Sequence, residues 1–354
     1  NPYGNAVAER SQLGLFREIR PDGDQYGFSY PPYALFPVLP LALLDYPWAQ
    51  SSWMALTILS VLGSAIITAP PGKRLLAVFL FLTPYPIFFG IILGNYSILI
   101  NAVVLIIFSF LIMRKLPGKW QQAILGVLLG WTTIKPQAVW LFLIVILWIS
   151  WQKRLRNLLT WFLGSFAVFI FISFLILPSW PADWLNRITE YHGYVEYSSP
   201  RLVIMLQQFL PAKSSDIIFS LTFLVLLIST LWIIFKHSLE SKRQVWLIGW
   251  VALVTYLVHP TLFSYVQITL LIPLFLWVFQ RQYRGIIWKA CFLLLFSIST
   301  WLVPFWIGPL INNPLQDEIN TLIYMAWLIG LSLNLLVSVQ KPLTDSSLEK
   351  EFPS

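Results

Sequence analysis

The chain has 354 residues, of which 58% are hydrophobic and only 11% are charged, and its mean hydropathy is +0.73. A soluble domain carries about a quarter charged residues, so this composition cannot cover a water-facing globule and excludes a cytosolic enzyme, a disulfide scaffold or a disordered regulator. The formal charge of +8 does not indicate nucleic-acid binding, because the basic residues stand in short clusters between apolar runs. We therefore predict an all-α polytopic membrane protein.

The opening segment, residues 1–30, is predicted to be an outer loop. The chain begins with Asn1 rather than methionine and no signal-like segment precedes Pro2, so we expect a fragment or a processed form in which this loop is truncated. Within it, Asp22 and Asp24 flank a glycine. This pattern indicates either a tight turn or a carboxylate pair that holds a divalent cation or acts as a general base.

The next segment, residues 31–44, is rich in proline and too short to cross a bilayer, so it is predicted to be interfacial or re-entrant. Pro31 and Pro32 exclude the α conformation at the residue before each of them and hold Tyr30 extended where the chain enters the membrane. The segment is either a rigid interfacial turn or one wall of a substrate cleft.

Membrane-spanning helices need about 20 residues, which are predominantly apolar. Eleven candidates, several of them short, lie at 47–69, 75–93, 96–113, 119–134, 136–150, 157–177, 216–235, 245–258, 261–280, 286–303 and 319–339. Residues 119–150 are alternatively one long broken helix. The predicted organisation is a transmembrane domain over 31–339, which includes an outer loop at 178–215, followed by a cytoplasmic tail at 340–354.

The basic residues orient these spans. Alternate connections and the tail hold 16 of the 23 basic residues with four acidic ones, a net charge of +12, whereas the other side has seven basic and 11 acidic residues, a net charge of −4. The positive-inside rule makes the first set cytoplasmic. This predicts a multi-pass plasma membrane protein, in a bacterial inner membrane, with the opening segment outside, the C-terminus cytoplasmic and one further helix ahead of Asn1.

Lys135 is the only basic residue in the apolar run from Gln121 to Trp151. A lysine at mid-bilayer costs about 2.5–3.5 kcal/mol on insertion scales, and Pro136 breaks the helix directly after it. The topology places this break, with Gln137, near the outer surface. There the lysine either snorkels to the interface or meets a lipid phosphate.

Two further outer regions are candidates for chemistry. His259 and Pro260 follow a predicted span and precede Tyr265, and this histidine is either structural or functional. The loop at 178–215 combines aromatic rings with arginines and carboxylates, a composition that suits both sugar binding and a membrane-interface belt. Its notable members are Trp180, Trp184, Arg187, Glu190, Tyr191, His192 and Arg201.

Soluble-enzyme signatures such as a nucleotide-binding glycine loop or a zinc motif are missing from the sequence. The single cysteine, Cys291, lies in an apolar run, so no cysteine-based metal site is expected. Gly126 and Gly130 fit the GxxxG pattern and are interpreted as ordinary helix packing. No cofactor and no metal is required by any visible motif.

In their order along the chain these motifs resemble glycosyltransferase family 87 of the GT-C superfamily, multi-span enzymes that use polyprenyl-phosphate sugars. The resemblance covers most of the chain, and Asn95 departs from it because the family often has glutamine there. The matching pieces are Asn1-Pro2-Tyr3, Tyr30-Pro31-Pro32 with Pro40-Leu41, Gly94-Asn95, Gly126 and Gly130 running into Lys135-Pro136, the aromatic outer loop, and His259-Pro260.

The resemblance implies a GT-C-like bundle that moves a hexose or pentose from polyprenyl phosphate to a lipid or glycan acceptor at the outer face. Its general base is an acidic residue that would lie upstream of Asn1, with Asp22 and Asp24 as candidates within the chain. Lys135, His259 and Arg201 become candidates for binding the lipid phosphate. The candidates for the substrate cleft are Tyr30, Pro31, Asn95, Gln137, Trp180, Trp184, Tyr191, His192 and Tyr265.

Two other functions stay open at this point. A secondary transporter or lipid flippase suits the number of spans, but it predicts coupling carboxylates near mid-membrane, and every acidic residue here falls in a loop or at a helix end. A non-catalytic partner in cell-envelope glycan assembly suits a chain without the general base. The expected partners of the enzyme are the sugar donor, the acceptor and membrane lipids, with no nucleic acid.

Overall fold

The computed structural model of the chain describes residues 1–19, 27–113, 116–194, 200–207, 209–239, 243–259, 264–279 and 286–302, together with Phe305, Met325, Ala326 and Ile329. Over these residues the regular structure is helical and contains no strand. The α-helices are α1 (Asn5–Phe16), α2 (Tyr46–Thr68), α3 (Arg74–Leu82), α4 (Tyr85–Ile92), α5 (Ser97–Phe108), α6 (Lys119–Thr132), α7 (Pro136–Gln152), α8 (Arg156–Ile176), α9 (Trp180–Tyr194), α10 (Arg201–Gln207), α11 (Ala212–His237), α12 (Gln244–Leu257), α13 (Ile268–Phe279) and α14 (Ile286–Leu302).

Shorter turns connect some of these helices. A π-helical turn, Ser109–Met113, extends α5. The 3-10 turns are Pro32–Leu35, Leu39–Leu43, Pro71–Lys73 and Ser264–Gln267. The predicted non-spanning segment at 31–44 is therefore two short turns rather than a helix that could cross a bilayer.

Three helices within the described ranges, α2, α8 and α11, are long and apolar enough to cross a membrane, and α3 with α4 gives a fourth if the bent pair is one span. Shorter apolar helices occupy Ser97–Met113, Pro136–Gln152, Gln244–Leu257, Ile268–Phe279 and Ile287–Leu302. The all-helical architecture is confirmed over the described residues, and the apolar helices indicate a membrane protein, whereas the total of eleven spans and the domain limits remain predictions. The candidate at 319–339 falls outside the continuously described ranges.

The short apolar helices form the interior and the long ones form the periphery. Nearly every residue of α5, α12 and α13 is buried, whereas α8 and α11 expose most of their apolar side chains. A helix that is apolar all round belongs in a protein core or a membrane. The exposed apolar faces of α2, α8 and α11 are therefore the surface that lipid would cover.

The predicted span at 75–93 is wrong in one respect, because it is not a single helix. α3 and α4 meet at Thr83 and Pro84 with a bend of 68°. Proline has no backbone N–H and clashes with the preceding turn, so a helix interior breaks there. α14 satisfies the freed groups, since the Tyr85 amide donates to Thr300 Oγ1 at 3.0 Å and Trp301 Nε1 donates to the Thr83 carbonyl at 2.6 Å.

Gly126 and Gly130 bring α6 into close contact with α8. A Cβ added to Gly126 would lie 2.6 Å from the Leu158 carbonyl oxygen and 2.9 Å from the Phe162 amide nitrogen, and one added to Gly130 would overlap Ser165 Oγ. The backbones approach this closely only because both residues lack a side chain. The interpretation of the GxxxG pattern as helix packing is confirmed.

The helices leave two chemically different ends. The first, called the site end, holds α1, α9, the α4–α5 connection and the break between α6 and α7. The second, called the basic end, holds the connections from α7 to α8 and from α11 to α12, which Ser238 Oγ joins by donating to Gln152 Oε1 at 3.0 Å. The basic clusters between these helices thus share one end, as expected for loops on one side of a membrane.

Candidate functional site

Lys135 lies at the break between α6 and α7 and is buried, with only 3% of its surface exposed. Pro136 begins α7, so the break follows from the sequence itself. Lys135 Nζ donates to Ser97 Oγ at 2.7 Å and to Asn95 Oδ1 at 3.3 Å. The lysine therefore points inward to the start of α5 and does not snorkel to a surface.

The turn at Gly94 and Asn95 positions two oxygen atoms that accept hydrogen bonds from Lys135. Gly94 has a φ of +62°, a left-handed conformation that glycine adopts without strain, and its carbonyl accepts a hydrogen bond from Trp53 Nε1 at 2.8 Å. Asn95 Oδ1 also accepts from the Ser97 amide at 2.9 Å, which begins α5. Asn95 was predicted from the sequence, whereas Ser97 was missed. Its only sequence signal was a hydroxyl at the first turn of a very apolar helix.

Tyr96 stands between these two acceptors and centres an aromatic cluster. Its ring centroid lies 5.1 Å from that of Tyr30, 5.2 Å from Trp53 and 5.9 Å from Trp131, and its hydroxyl donates to the Ala34 carbonyl at 3.0 Å. Trp131 Nε1 is buried and has no hydrogen-bond partner among the described residues. The aromatic rings next to the break pack edge to face against one another.

Residues 27–37, called the strap, lie across this end of the bundle. Tyr3 Oη donates to the Tyr30 carbonyl at 2.7 Å, and the hydroxyls of Tyr33 and Thr133 lie 3.0 Å apart. Burial raises the pKa of Tyr30 to about 12 and raises that of Tyr3 well above its usual range. Both phenols are therefore protonated at neutral pH, and Tyr3 acts as a stable donor. The predicted Pro31 is buried within the strap.

α9 covers the strap from the other side. Trp184 Nε1 donates to the Ser29 carbonyl at 3.0 Å, and Arg187 forms an ion pair with Glu190 at 2.9 Å. Trp180 contacts Phe174 of α8 and Trp184, with ring centroids 5.7 and 6.0 Å apart, rather than the cluster around Tyr96. The two predicted tryptophans of this loop thus lie in different surroundings.

The remaining predicted residues divide into described and undescribed groups. His259 is 1% exposed and follows α12, which packs against α7, and Gln137 is the second residue of α7. Asp22, Asp24 and Pro260 lie outside the described residues. The same holds for some predicted side chains whose backbone is helical, namely those of Tyr191, His192, Arg201 and Tyr265.

Acidic residues are absent from a long part of the sequence that includes Lys135. The sequence contains no Asp or Glu between Asp45 and Asp183, a stretch with nine Lys and Arg residues that includes all of α2 to α8. These helices therefore offer Lys135 neutral oxygens and no carboxylate. Neutral acceptors such as Ser97 Oγ and Asn95 Oδ1 orient the amino group of Lys135 toward the start of α5.

The sequence profile described as glycosyltransferase family 87 matches residues 28–260, about two thirds of the chain. The matched range begins in the strap and ends just after His259, so it includes Asn95, Ser97, Lys135 and α9. No curated protein and no solved structure matches the chain.

Proposed function

The chain belongs to glycosyltransferase family 87, and from this premise we propose that it transfers a hexose or pentose from a polyprenyl phosphate to a lipid or glycan acceptor at the outer face of the membrane. The family makes it a glycosyltransferase, and its apolar helices indicate a membrane protein. The proposal goes further in naming the donor, the acceptor, the outer face and a bacterial plasma membrane. It also identifies the site end with that face.

The observation that supports this donor best is the buried ammonium of Lys135. Its hydrogen bonds to Ser97 and Asn95 hold it beside the start of α5, and both acceptors are neutral. When the bond from the sugar to the phosphate breaks, negative charge grows on the departing lipid phosphate. A preorganised cation in a dry site stabilises that charge more strongly than water does.

The surroundings of the site support a lipid-linked donor. A polyprenyl tail partitions into a bilayer at about 0.8 kcal/mol for each buried CH₂. An enzyme that uses such a donor must bind the phosphate at the membrane surface while the tail stays in hydrocarbon. A lysine at a helix break near the end of the bundle lies at a suitable depth. His259 and Arg201 are proposed as further ligands of the same phosphate.

The acceptor half of the reaction needs a base. A carboxylate takes the proton from the acceptor hydroxyl as its oxygen attacks the anomeric carbon, through a transition state that resembles an oxocarbenium ion. We propose for this role the acidic residue that the family places upstream of Asn1, with Asp22 and Asp24 as alternatives. Tyr30, Tyr96 and Trp131 would offer their ring faces to the sugar.

Membranes that contain the protein test the proposal directly. We expect transfer of label from a radiolabelled polyprenyl-phosphate hexose or pentose into an extractable glycolipid or glycan. Lys135→Ala should lower the rate by about 100-fold or more, as the loss of a preorganised group that stabilises transition-state charge does. Lys213→Ala changes an exposed lysine at the same end and should leave the rate unchanged.

Two outcomes would count against the proposal. Wild-type membranes that transfer no pentose or hexose from any polyprenyl phosphate would overturn the donor class. A Lys135→Ala variant that transfers at the wild-type rate would remove Lys135 from the phosphate site while leaving the donor class standing.

A further inference from the structure

We propose that Trp184 and Arg187 are positioning residues through which α9 holds residues 27–30 of the strap against the site. The inference rests on the proposed function, because the strap matters to catalysis only if Tyr30 lines the donor site. It adds a role for the outer helix that neither the family match nor the sequence motifs assign. The helix α9, with its side chains Trp184 and Arg187, is called the clamp.

The first contact of the clamp is a 3.0 Å hydrogen bond from Trp184 Nε1 to the Ser29 carbonyl. It joins two residues that are 155 positions apart in the sequence. Residues 27–29 are not helical, so no helix hydrogen bond satisfies the Ser29 carbonyl. An indole has one donor and no acceptor, so this bond fixes one specific carbonyl of the strap. A strap shifted by one residue would lose it.

The second contact is between Arg187 and Gly27. Arg187 is 5% exposed, and its ion pair with Glu190 fixes the guanidinium in place. The guanidinium lies so close to the Gly27 Cα that a Cβ built there would overlap it. A side chain at this position would have to displace the guanidinium, so glycine lets the strap approach α9 closely, two residues before the carbonyl that Trp184 binds.

The clamp is itself anchored to the opening segment. Asp183 Oδ2 accepts hydrogen bonds from Asn1 Nδ2 at 3.0 Å and from Ser179 Oγ at 2.8 Å. From the opposite side, Tyr3 donates to the Tyr30 carbonyl at 2.7 Å. The start of the chain and α9 thus hold the strap between them at consecutive residues.

The strap in turn contacts the groups that surround Lys135. The Tyr30 ring lies 5.1 Å from the Tyr96 ring, and Tyr96 stands directly between Asn95 and Ser97, the two acceptors of Lys135. If the clamp loosens, Tyr30 loses its fixed place on Tyr96. The wall of the donor site then moves while the helices beneath it keep their packing.

Trp180 provides a matched control for Trp184. Both belong to α9, one turn apart, with ring centroids 6.0 Å apart. Trp180 Nε1 makes no hydrogen bond among the described residues, whereas Trp184 Nε1 binds the strap. Substitution by phenylalanine keeps an aromatic ring at either position. It removes the indole N–H, and the accompanying loss of ring volume is the same in both variants. An α9 that served only as an interfacial belt would respond alike to both substitutions.

The experiment compares Trp184→Phe with Trp180→Phe in lipid nanodiscs. Hydrogen–deuterium exchange should become faster over residues 27–37 in Trp184→Phe alone, with exchange in α5 and α7 unchanged. The kcat/KM for the donor should fall about three- to tenfold, the effect of one hydrogen bond, with the KM for the acceptor unchanged. Gly27→Ala should act in the same direction, and Gly14→Ala, whose added Cβ meets no atom within 4 Å, should not.

The two readouts separate the failure of the clamp from the failure of the proposed function. Equal exchange over the strap in Trp184→Phe and Trp180→Phe would overturn the clamp, whatever the activity. Faster exchange in Trp184→Phe with an unchanged kcat/KM would show that the strap is held but does not line the donor site, which overturns the positioning role. If the wild-type protein transfers no sugar, the proposed function fails and the positioning role fails with it, whereas the exchange comparison still decides whether α9 holds the strap.

Discussion

The site end and the basic end use the same residue types in opposite ways. At the site end Lys135 and Arg187 are buried, and each is held by specific partners within the protein. At the basic end Arg154, Arg156 and Lys236 are exposed, and Lys236 lies 4.6 Å from the ring centroid of Trp232, which is also exposed. The proposals assign the buried cations to the site and its clamp, whereas the positive-inside rule predicts that the exposed ones lie on the cytoplasmic side.

This difference shows that the number of charged residues at one end does not by itself identify the candidate functional site. The basic end has more lysines and arginines, and water can solvate those of its cations that are exposed. The site end has few, and Lys135 occupies a place where a cation is expensive to bury. The proposed function gives this residue a role that would offset the cost, the binding of the lipid phosphate.

The largest effect on stability is expected when the contact between α6 and α8, which connect the two ends, is disrupted. α6 and α8 run from one end to the other, and Gly126 allows their contact. Gly126→Val should lower the free energy of unfolding by about 3 kcal/mol, because its Cβ and methyls would overlap the α8 backbone. Unfolding in mixed detergents measures this. Gly164→Ala is the control, since nothing lies within 4 Å of its added Cβ, and equal losses in both variants would contradict the packing role.

The next largest effect is expected on the rate of sugar transfer, and it distinguishes two histidines, one at each end. His259 at the site end is proposed to bind the lipid phosphate, whereas His237 at the basic end lies 3.0 Å from Arg243 Nη1. His259→Ala should lower sugar transfer about 10- to 100-fold, the size expected for a hydrogen bond to a charged group. His237→Ala should change the transfer rate little. A His259→Ala variant as active as the wild type would remove His259 from the site.

A smaller effect is expected at the hydroxyls that join helices at either end. Ser97→Ala removes the shorter of the two hydrogen bonds that Lys135 donates to these acceptors and should lower transfer about tenfold. Ser238→Ala removes a comparable contact to Gln152 at the basic end. That variant should keep its rate, and a loss of activity in both would mean that the effect is structural. Transfer assays under saturating acceptor distinguish these results.

The smallest effect is expected at Lys236. Its contact with Trp232 is exposed, and such cation–π contacts contribute about 0.5–1 kcal/mol. Lys236→Ala should lower the free energy of unfolding by no more than this and should leave transfer unchanged. A large loss of transfer in this variant would contradict the division of labour between the ends.

Much of the helix layout could be predicted because apolar runs are bounded by proline and charge. The candidate at 47–69 is α2 at Tyr46–Thr68, and the candidate at 157–177 is α8 at Arg156–Ile176. The bend between α3 and α4 was missed although Pro84 signals it in the sequence. A hydropathy window averages over a single proline, so the break disappears in an otherwise apolar run.

The site was predictable only where one residue stood out from its neighbours. Lys135 is a lone charge beside a proline in an apolar run, and Asn95 follows a glycine between helices. Ser97, Tyr96 and Trp131 carry no such mark, since a serine or an aromatic residue is common in such helices. Their importance comes from contacts across about 40 residues, which no local pattern encodes.

By itself the sequence determined that this protein is a helical membrane protein, where most of its helices begin and end, and that Lys135 lies at a break. These properties depend on composition and on local breakers such as Pro136, which act within a few residues. Only the tertiary structure decided that Lys135 points to Ser97 and Asn95, that Trp184 rather than Trp180 binds the strap, and that Gly27 faces Arg187. Hydrogen bonds and close contacts depend on distances of a few ångströms between distant segments, and those distances are fixed only when the helices pack.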